Sequence, residues 1–176
     1  MSKIKKYILS AMLLAILIIL SRFISIKTQF LVISFSFIPI MMAAIWLGPK
    51  YSTLIALLGD FLGAILFPFG PYFPGFTVSA AISGFIYGIF LYNKENELSN
   101  KSLIVRLILS SILVLAIVNL FITSLWLHLL YGEAYMPVLL GRITTQIIML
   151  PIQVITIYAL EKSSKPFIKK YLQEEN

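Results

Sequence analysis

From Leu107 to Tyr131 the chain runs for 25 residues without Asp, Glu, Lys or Arg. A bilayer's hydrocarbon core is crossed by about 20 consecutive apolar residues in a helix. No water-soluble helix of this length hides all of its faces. Only 12% of the whole chain is charged, about half the share usual for a soluble domain, so the solvent this sequence expects is lipid. Similar runs place spans at about 7–26, 35–48, 51–67, 76–93, 103–131 and 134–161. Tyr7 to Ser21, Phe35 to Gly48 and Phe76 to Asn93 are uncharged, Tyr51 to Phe67 holds only Asp60, and Ala134 to Leu160 holds only Arg142. None of the runs alternates polar with apolar residues as barrel strands do. The expected fold is an all-α integral membrane protein, a single bundle of six transmembrane helices over 1–176.

With six spans both termini share a side. That side receives Lys3, Lys5, Lys6, Lys50, Lys94, Lys101, Arg106, Lys162, Lys165, Lys169 and Lys170, which is eleven of the fourteen basic residues. Arg22, Lys27 and Arg142 fall on the other side. The positive-inside rule makes the first side cytoplasmic. The net charge of +7 is therefore a topology signal, and nucleic acid is not an expected partner. An N-terminal lysine cluster before an apolar run also fits a signal peptide, but no small-residue cleavage site leads into a polar mature chain. No internal repeat stands out. The segment from Asn93 to Lys101 is the one stretch composed like a soluble loop.

Between spans three and four the sequence reads LFPFGPYFPGFT, with Pro68, Pro71 and Pro74 set among Gly70 and Gly75. Proline removes a backbone donor and disfavours helix in the residue before it. The stretch is thus a shaped, non-helical turn on the outer side. Such backbone at membrane depth must be buried in protein or line a wet cavity. Phe67, Phe69, Tyr72, Phe73 and Phe76 form either an interfacial aromatic belt or a wall over a site for a flat ring.

Asp60 lies mid-span, where an ionisable group marks either a functional site or an ion pair, with Arg22 or Arg142 as partner. Arg142, Gln146, Met149 and Gln153 follow helical spacing on one face of span six. Asn119, Thr123 and Trp126 do the same in span five. Hydrocarbon offers amides no hydrogen-bond partner, so both faces are expected to point inward. Gly59 and Gly63, and Ala80, Gly84 and Gly88, are small-residue stripes of the kind that bring helices close. Ala11 and Ala15 make an AxxxA in span one, by spacing alone an internal packing motif. With no cysteine and one histidine, His128, a metal site of the usual ligands is not expected. No GxxxxGK[ST] loop occurs, and no nucleophile, base and acid constellation is apparent.

The series AMLLA, SRFISIKTQFLVISFSFIPIMMAAIWLGP, GDFLGAILFPFGPYFPGFTVSAAISGFIYGIF and GRITTQIIMLPIQ resembles the substrate-binding S components of energy-coupling factor (ECF) vitamin transporters, most closely the folate-specific ones. The resemblance covers nearly the whole chain. It implies a multi-pass subunit in the bacterial plasma membrane that binds a vitamin from outside, with no enzymatic activity and no cofactor of its own. It implies as partners a transmembrane subunit and two cytoplasmic ATPases, with Ala11 and Ala15 on the face toward the transmembrane partner. A pterin suits a carboxylate and stacking rings, and a glutamate tail suits arginine. With folate or a reduced folate as ligand, Asp60 is expected at the pterin and Arg142 or Arg22 at the tail. Tyr72, Phe73, Phe76 and Trp126 are expected to supply ring contacts, and Asn119, Gln146 and Gln153 amide hydrogen bonds. Pro71 and Pro74 shape a lid, and Arg22 has a competing role in holding it closed as a gate. Rival readings are an S component for a flavin or thiamine, a small membrane enzyme acting on lipid, and a purely structural subunit.

The charge asymmetry makes a direct prediction. In single-cysteine variants at positions 2, 72 and 97, an impermeant outside reagent labels position 72 and leaves 2 and 97 unlabelled until the membrane is opened. Labelling of 97 without 72 in intact cells inverts the topology.

Overall fold

The structure is a computed structural model. It describes residues 2–27, 32–68, 70–93, 99–132 and 135–173, and omits the side chains of 26–27, 32–33, 131, 135–139, 141–142 and 167–173. Phe69 and the segment 94–98 of the polar loop lie outside the described residues.

Helix α1 (Lys3–Arg22) begins at Ser2, whose hydroxyl accepts from the Lys5 amide at 3.4 Å. A side-chain oxygen there satisfies one of the amides that a helix start leaves unpaired. The helix thus starts four residues before the span expected from Tyr7 and stops before residue 26. Beyond it, strands β1 (Ile26–Lys27) and β2 (Val32–Ile33) pair antiparallel, Ile26 with Ile33 and Lys27 with Val32. This ribbon is an addition to the all-helical expectation. Three of its four residues are β-branched, but its strands are too short for the sequence to announce them.

Helix α2 (Phe37–Leu47) is the centre of the bundle. Phe37, Pro39, Leu47 and every residue from Met41 to Ile45 are buried. Its 11 residues rise about 16 Å at 1.5 Å each, roughly half the hydrocarbon thickness. It is apolar all round because protein surrounds it. Gly48 then takes φ +86°, a left-handed angle that only glycine adopts freely, and Pro49 opens helix α3 (Pro49–Leu66). The ring of Tyr92 lies where a side chain on residue 48 would go.

Helices α3 and α4 (Pro74–Leu91) pack antiparallel through small residues. A Cβ on Gly84 would lie 2.5 Å from the Ser52 carbonyl oxygen, and one on Gly88 would run into the backbone of Pro49. The Ser52 hydroxyl, fully buried, donates to the Gly84 carbonyl at 2.8 Å. On the other side of α3, Gly59 abuts Leu17 and Gly63 abuts the Arg22 guanidinium. The two small-residue stripes therefore serve different neighbours: Gly84 and Gly88 admit α3, and Gly59 and Gly63 admit α1.

The longest apolar run is not one regular helix. Helix α5 (Asn100–Leu113) passes into a π-helical segment over Val114–Ile122, and α6 (Thr123–Tyr131) resumes the α form and ends at Gly132, φ +62°. Two hydroxyls reach back five residues, Thr123 to the Val118 carbonyl at 2.8 Å and Ser124 to the Asn119 carbonyl at 3.2 Å. Helix α7 (Tyr135–Gln173) has 39 residues, with Pro151 and Pro166 inside it. It is about 58 Å long, longer than a whole bilayer, and continues past the boundary expected at 161. Among the described residues, five helical stretches suffice by length and composition to cross a membrane: Lys3–Arg22, Pro49–Leu66, Pro74–Leu91, Asn100–Leu130 and Ile143–Pro166.

The α3–α4 contact yields a stability prediction. Gly84→Ala places a methyl against backbone that cannot rotate aside, and overpacking of this kind costs about 1–3 kcal/mol. Thermal unfolding of the protein in detergent, followed by circular dichroism, should show a lowered midpoint for Gly84→Ala and none for Ala159→Val, whose site is exposed. Equal midpoints would mean that the two helices do not approach as closely as described.

Candidate functional site

Asp60 sits six residues before the end of α3, and its carboxylate has neighbours on α4 and α1. Thr77, in the first turns of α4, donates its hydroxyl proton to Asp60 Oδ2 at 2.7 Å. The Tyr72 hydroxyl lies 3.2 Å from the Thr77 hydroxyl. Arg22, the last residue of α1, brings Nη2 to 3.9 Å from Asp60 Oδ1. The same Nη2 donates to the Asp60 carbonyl at 3.2 Å, and Nη1 reaches the Phe67 carbonyl at 3.5 Å. Arg22 is thus bound chiefly to backbone oxygens at the end of α3, with the carboxylate at the outer limit of an ion pair. The arginine side chain is 9% exposed and that of Asp60 29%, so the anion is the more reachable member.

This group opens into a cavity of about 210 Å³. Arg22, Asp60, Ser21, Ser34 and Ser36 give it a polar side, and Leu17, Ile40, Ala56, Gly59 and Ala80 an apolar one. It lies among α1, α2, α3 and α4, at the end of the bundle that carries the β ribbon and the α3–α4 turn. The alternating serines and phenylalanines of Ser34–Phe37 supply two of the hydroxyls.

A second cluster stands on the adjoining side of α4. Phe73 packs against Trp126 with centroids 5.5 Å apart, and against Phe76 at 5.7 Å. The Trp126 indole N–H donates to the Ser79 hydroxyl at 3.2 Å, and Ser79 donates to the Gly75 carbonyl at 3.0 Å. A Cβ on Gly75 would collide with both Phe73 and Trp126. Glycine there is what lets α6 close on the start of α4. Tyr72 belongs to neither ring pair; it meets Phe61 edge-on at 5.8 Å.

Residues 5–161 match the family described as ECF transporter, substrate-specific component. The chain belongs to this family. It is 36% identical over 162 residues to the folate transporter FolT of Clostridium novyi (strain NT), covering 92% of this chain and 91% of that one. It is 36% identical over 155 residues to the folate transporter FolT of Leuconostoc mesenteroides subsp. mesenteroides, covering 85% and 80%. The crystal structure of FolT bound with folic acid superposes with a TM-score of 0.80 at 37% identity, over 90% of this chain and 93% of that one.

Within this substrate-specific component the expected site residues divide. Arg22 and Asp60 line the cavity, and the pairing of Asp60 with an arginine is met by Arg22. Tyr72 reaches Asp60 through Thr77, and Phe73, Phe76 and Trp126 come together as rings. Asn119, Gln146 and Gln153 are half-buried on the π segment and α7, and none of them is among the residues lining the cavity. The Arg142 side chain lies outside the described residues. Pro71 is exposed in the turn between α3 and α4, whereas Pro74 is the first residue of α4. A helix start tolerates proline because its amide would be unpaired there in any case. Pro74 therefore begins a helix where it was expected to extend the break. Ala11 and Ala15 are exposed on α1, whose buried residues are Leu13 and Leu17. Thr77 is the residue that sequence reasoning passed over: a threonine between apolar neighbours in a helix carries no signal until the opposing helix is in place.

Proposed function

We propose that this chain is the folate-capturing subunit of an ATP-driven vitamin importer in a bacterial plasma membrane, spanning it six times with both termini cytoplasmic. The observation that carries the reading is the likeness, over nine-tenths of the chain, to FolT bound with folic acid, combined with a cavity lined by one carboxylate, one guanidinium and three serines. Asp60 accepts hydrogen bonds from the amino and ring N–H groups of the pterin. Arg22 answers the carboxylates of the tail or holds the α3–α4 turn closed over the ligand, and Arg142 is the other candidate for the tail. A volume of about 210 Å³ is below the roughly 300–1,000 Å³ of ordinary ligand pockets. The cavity takes a ring system, and the remainder of a folate extends toward the turn at 67–73. There Phe73, Phe76, Trp126 and Tyr72 present aromatic surface, and Pro71 limits the turn's freedom before the ligand arrives, which lowers the ordering cost of binding. Asn119, Gln146 and Gln153 contribute amides only if the bundle closes further around the ligand.

ATP hydrolysis belongs to two partner ATPases, linked through a transmembrane partner subunit. Ala11 and Ala15 are the docking positions for that subunit. Methyl-sized side chains on an outward helix face permit close approach of another helix in lipid. Replacing both with tryptophan should leave folate binding nearly intact and abolish uptake into vesicles that contain the whole complex. Lost binding with assembly preserved would return the AxxxA to internal packing.

The ligand assignment has its own test. Titration of the purified protein with folate, followed by tryptophan fluorescence, should give an affinity about ten-fold or more weaker for Asp60→Asn, since a buried group left mispaired costs roughly 1–3 kcal/mol. Phe73→Ala should weaken binding without changing expression. Unchanged affinity in both removes Asp60 and the aromatic wall from the site. Saturable binding of a flavin or thiamine in place of folate would reassign the vitamin.

A further inference from the structure

We infer that Thr77 is a positioning residue: it fixes the Asp60 carboxylate for ligand and ties that carboxylate to the α3–α4 turn through Tyr72. The inference rests on the assignment of Asp60 to the ligand. Its physical basis is the direction of two hydrogen bonds. An ionised carboxylate only accepts, and a threonine hydroxyl has a single proton. Thr77 spends that proton on Asp60 Oδ2 at 2.7 Å. The Tyr72 contact at 3.2 Å therefore runs the other way, with Tyr72 donating to Thr77. The order is Tyr72 to Thr77 to Asp60, and no member can turn without breaking a bond.

The consequences differ for the two carboxylate oxygens. Oδ2 has one lone pair committed to Thr77, which sets the plane of the carboxylate. The remaining lone pairs accept from a ligand that offers neighbouring N–H groups, the pattern of an aminopyrimidine ring. Thr77 is 7% exposed and sits on α4, so it is held by the helix packing and is a fixed reference. Tyr72 is 41% exposed and precedes α4, in the turn itself. Movement of the turn pulls on Tyr72, and Thr77 then loses the donor that orders its own proton. The chain thus couples the turn's position to the acceptor's readiness without a direct contact between turn and carboxylate.

Three variants and two measurements test this. Thr77→Val keeps the shape and removes the hydroxyl; Thr77→Ser keeps the hydroxyl; Tyr72→Phe removes the outer donor. In full-length protein in detergent, Thr77→Val should weaken folate and pteroate by about ten-fold or more, as expected for a hydrogen bond to a charged group. Binding of p-aminobenzoylglutamate, which lacks the ring system, should not change. Thr77→Ser should restore affinity to within about three-fold of the parent. Tyr72→Phe should weaken folate in the parent and have no further effect in the Thr77→Val background, because the two act through one chain. Independent losses, or parent-like binding by Thr77→Val, overturn the inference. The ligand-free protein supplies the second measurement. Amide exchange over the turn at 67–73 should quicken in Thr77→Val and stay slow in Thr77→Ser. If the parent binds no folate, the ligand reading falls, and the exchange rates still decide whether Thr77 holds the turn; identical exchange in all variants overturns that.

Discussion

The close approach of α3 and α4 is the constraint on which the rest depends. Pro49 meets Gly88, Ser52 meets Gly84 and Asp60 meets Thr77, so one antiparallel register serves packing at one end and the site at the other. Lipid supplies no hydrophobic push between helices, which associate through close contact and buried hydrogen bonds. The glycines provide the first and the Ser52–Gly84 bond the second. Widening this interface by a methyl group at residue 84 would be felt along the helices as a longer reach from Thr77 to Asp60. The packing contact at Gly84, one turn along α4 from the cavity's Ala80, therefore bears on the geometry of the carboxylate.

The same economy governs the charges. A lone carboxylate in a span is costly, and burying an ion pair is repaid only when further hydrogen bonds complete it. Arg22 donates to the carbonyls of Asp60 and Phe67 and approaches the Asp60 carboxylate only at 3.9 Å. The guanidinium compensates the charge without using up the acceptor. A tighter, bidentate pair would stabilise the empty protein more and leave less for a ligand to gain.

Much of this was legible in the sequence because lipid simplifies the rules. Uncharged runs gave the helices, Asp60 stood out as an ionisable residue inside one of them, and the clustered prolines and glycines of 68–75 marked a break. Arg22 was legible as a partner for Asp60, though a choice between it and Arg142 needed the fold. The π segment was not legible, since Val114–Ile122 is apolar but for Asn119 and its backbone bonding leaves no trace in composition. Its only hint is the pair Thr123 and Ser124, whose hydroxyls can serve carbonyls freed by a wider helix. Asn119 in one helix and Gln146 and Gln153 in another lie outside the cavity lining, and half-burial among neighbouring helices already answers the demand that hydrocarbon makes on an amide.

Pro74 and Thr77 show why the remainder escaped. A proline reads as a break, yet whether it ends one element or begins the next depends on which side the helix lies. Here it begins α4, and that fixes the register of everything after it. Three residues on, Thr77 is carried to the α3 face, while Gly75 and Ser79 turn toward Trp126. Had the helix begun elsewhere in the turn, the rotation of these side chains between the two faces would differ, and Asp60 would have lost its hydroxyl partner. The polar site and the aromatic cluster are therefore two faces of one helix start, held in phase by a single proline.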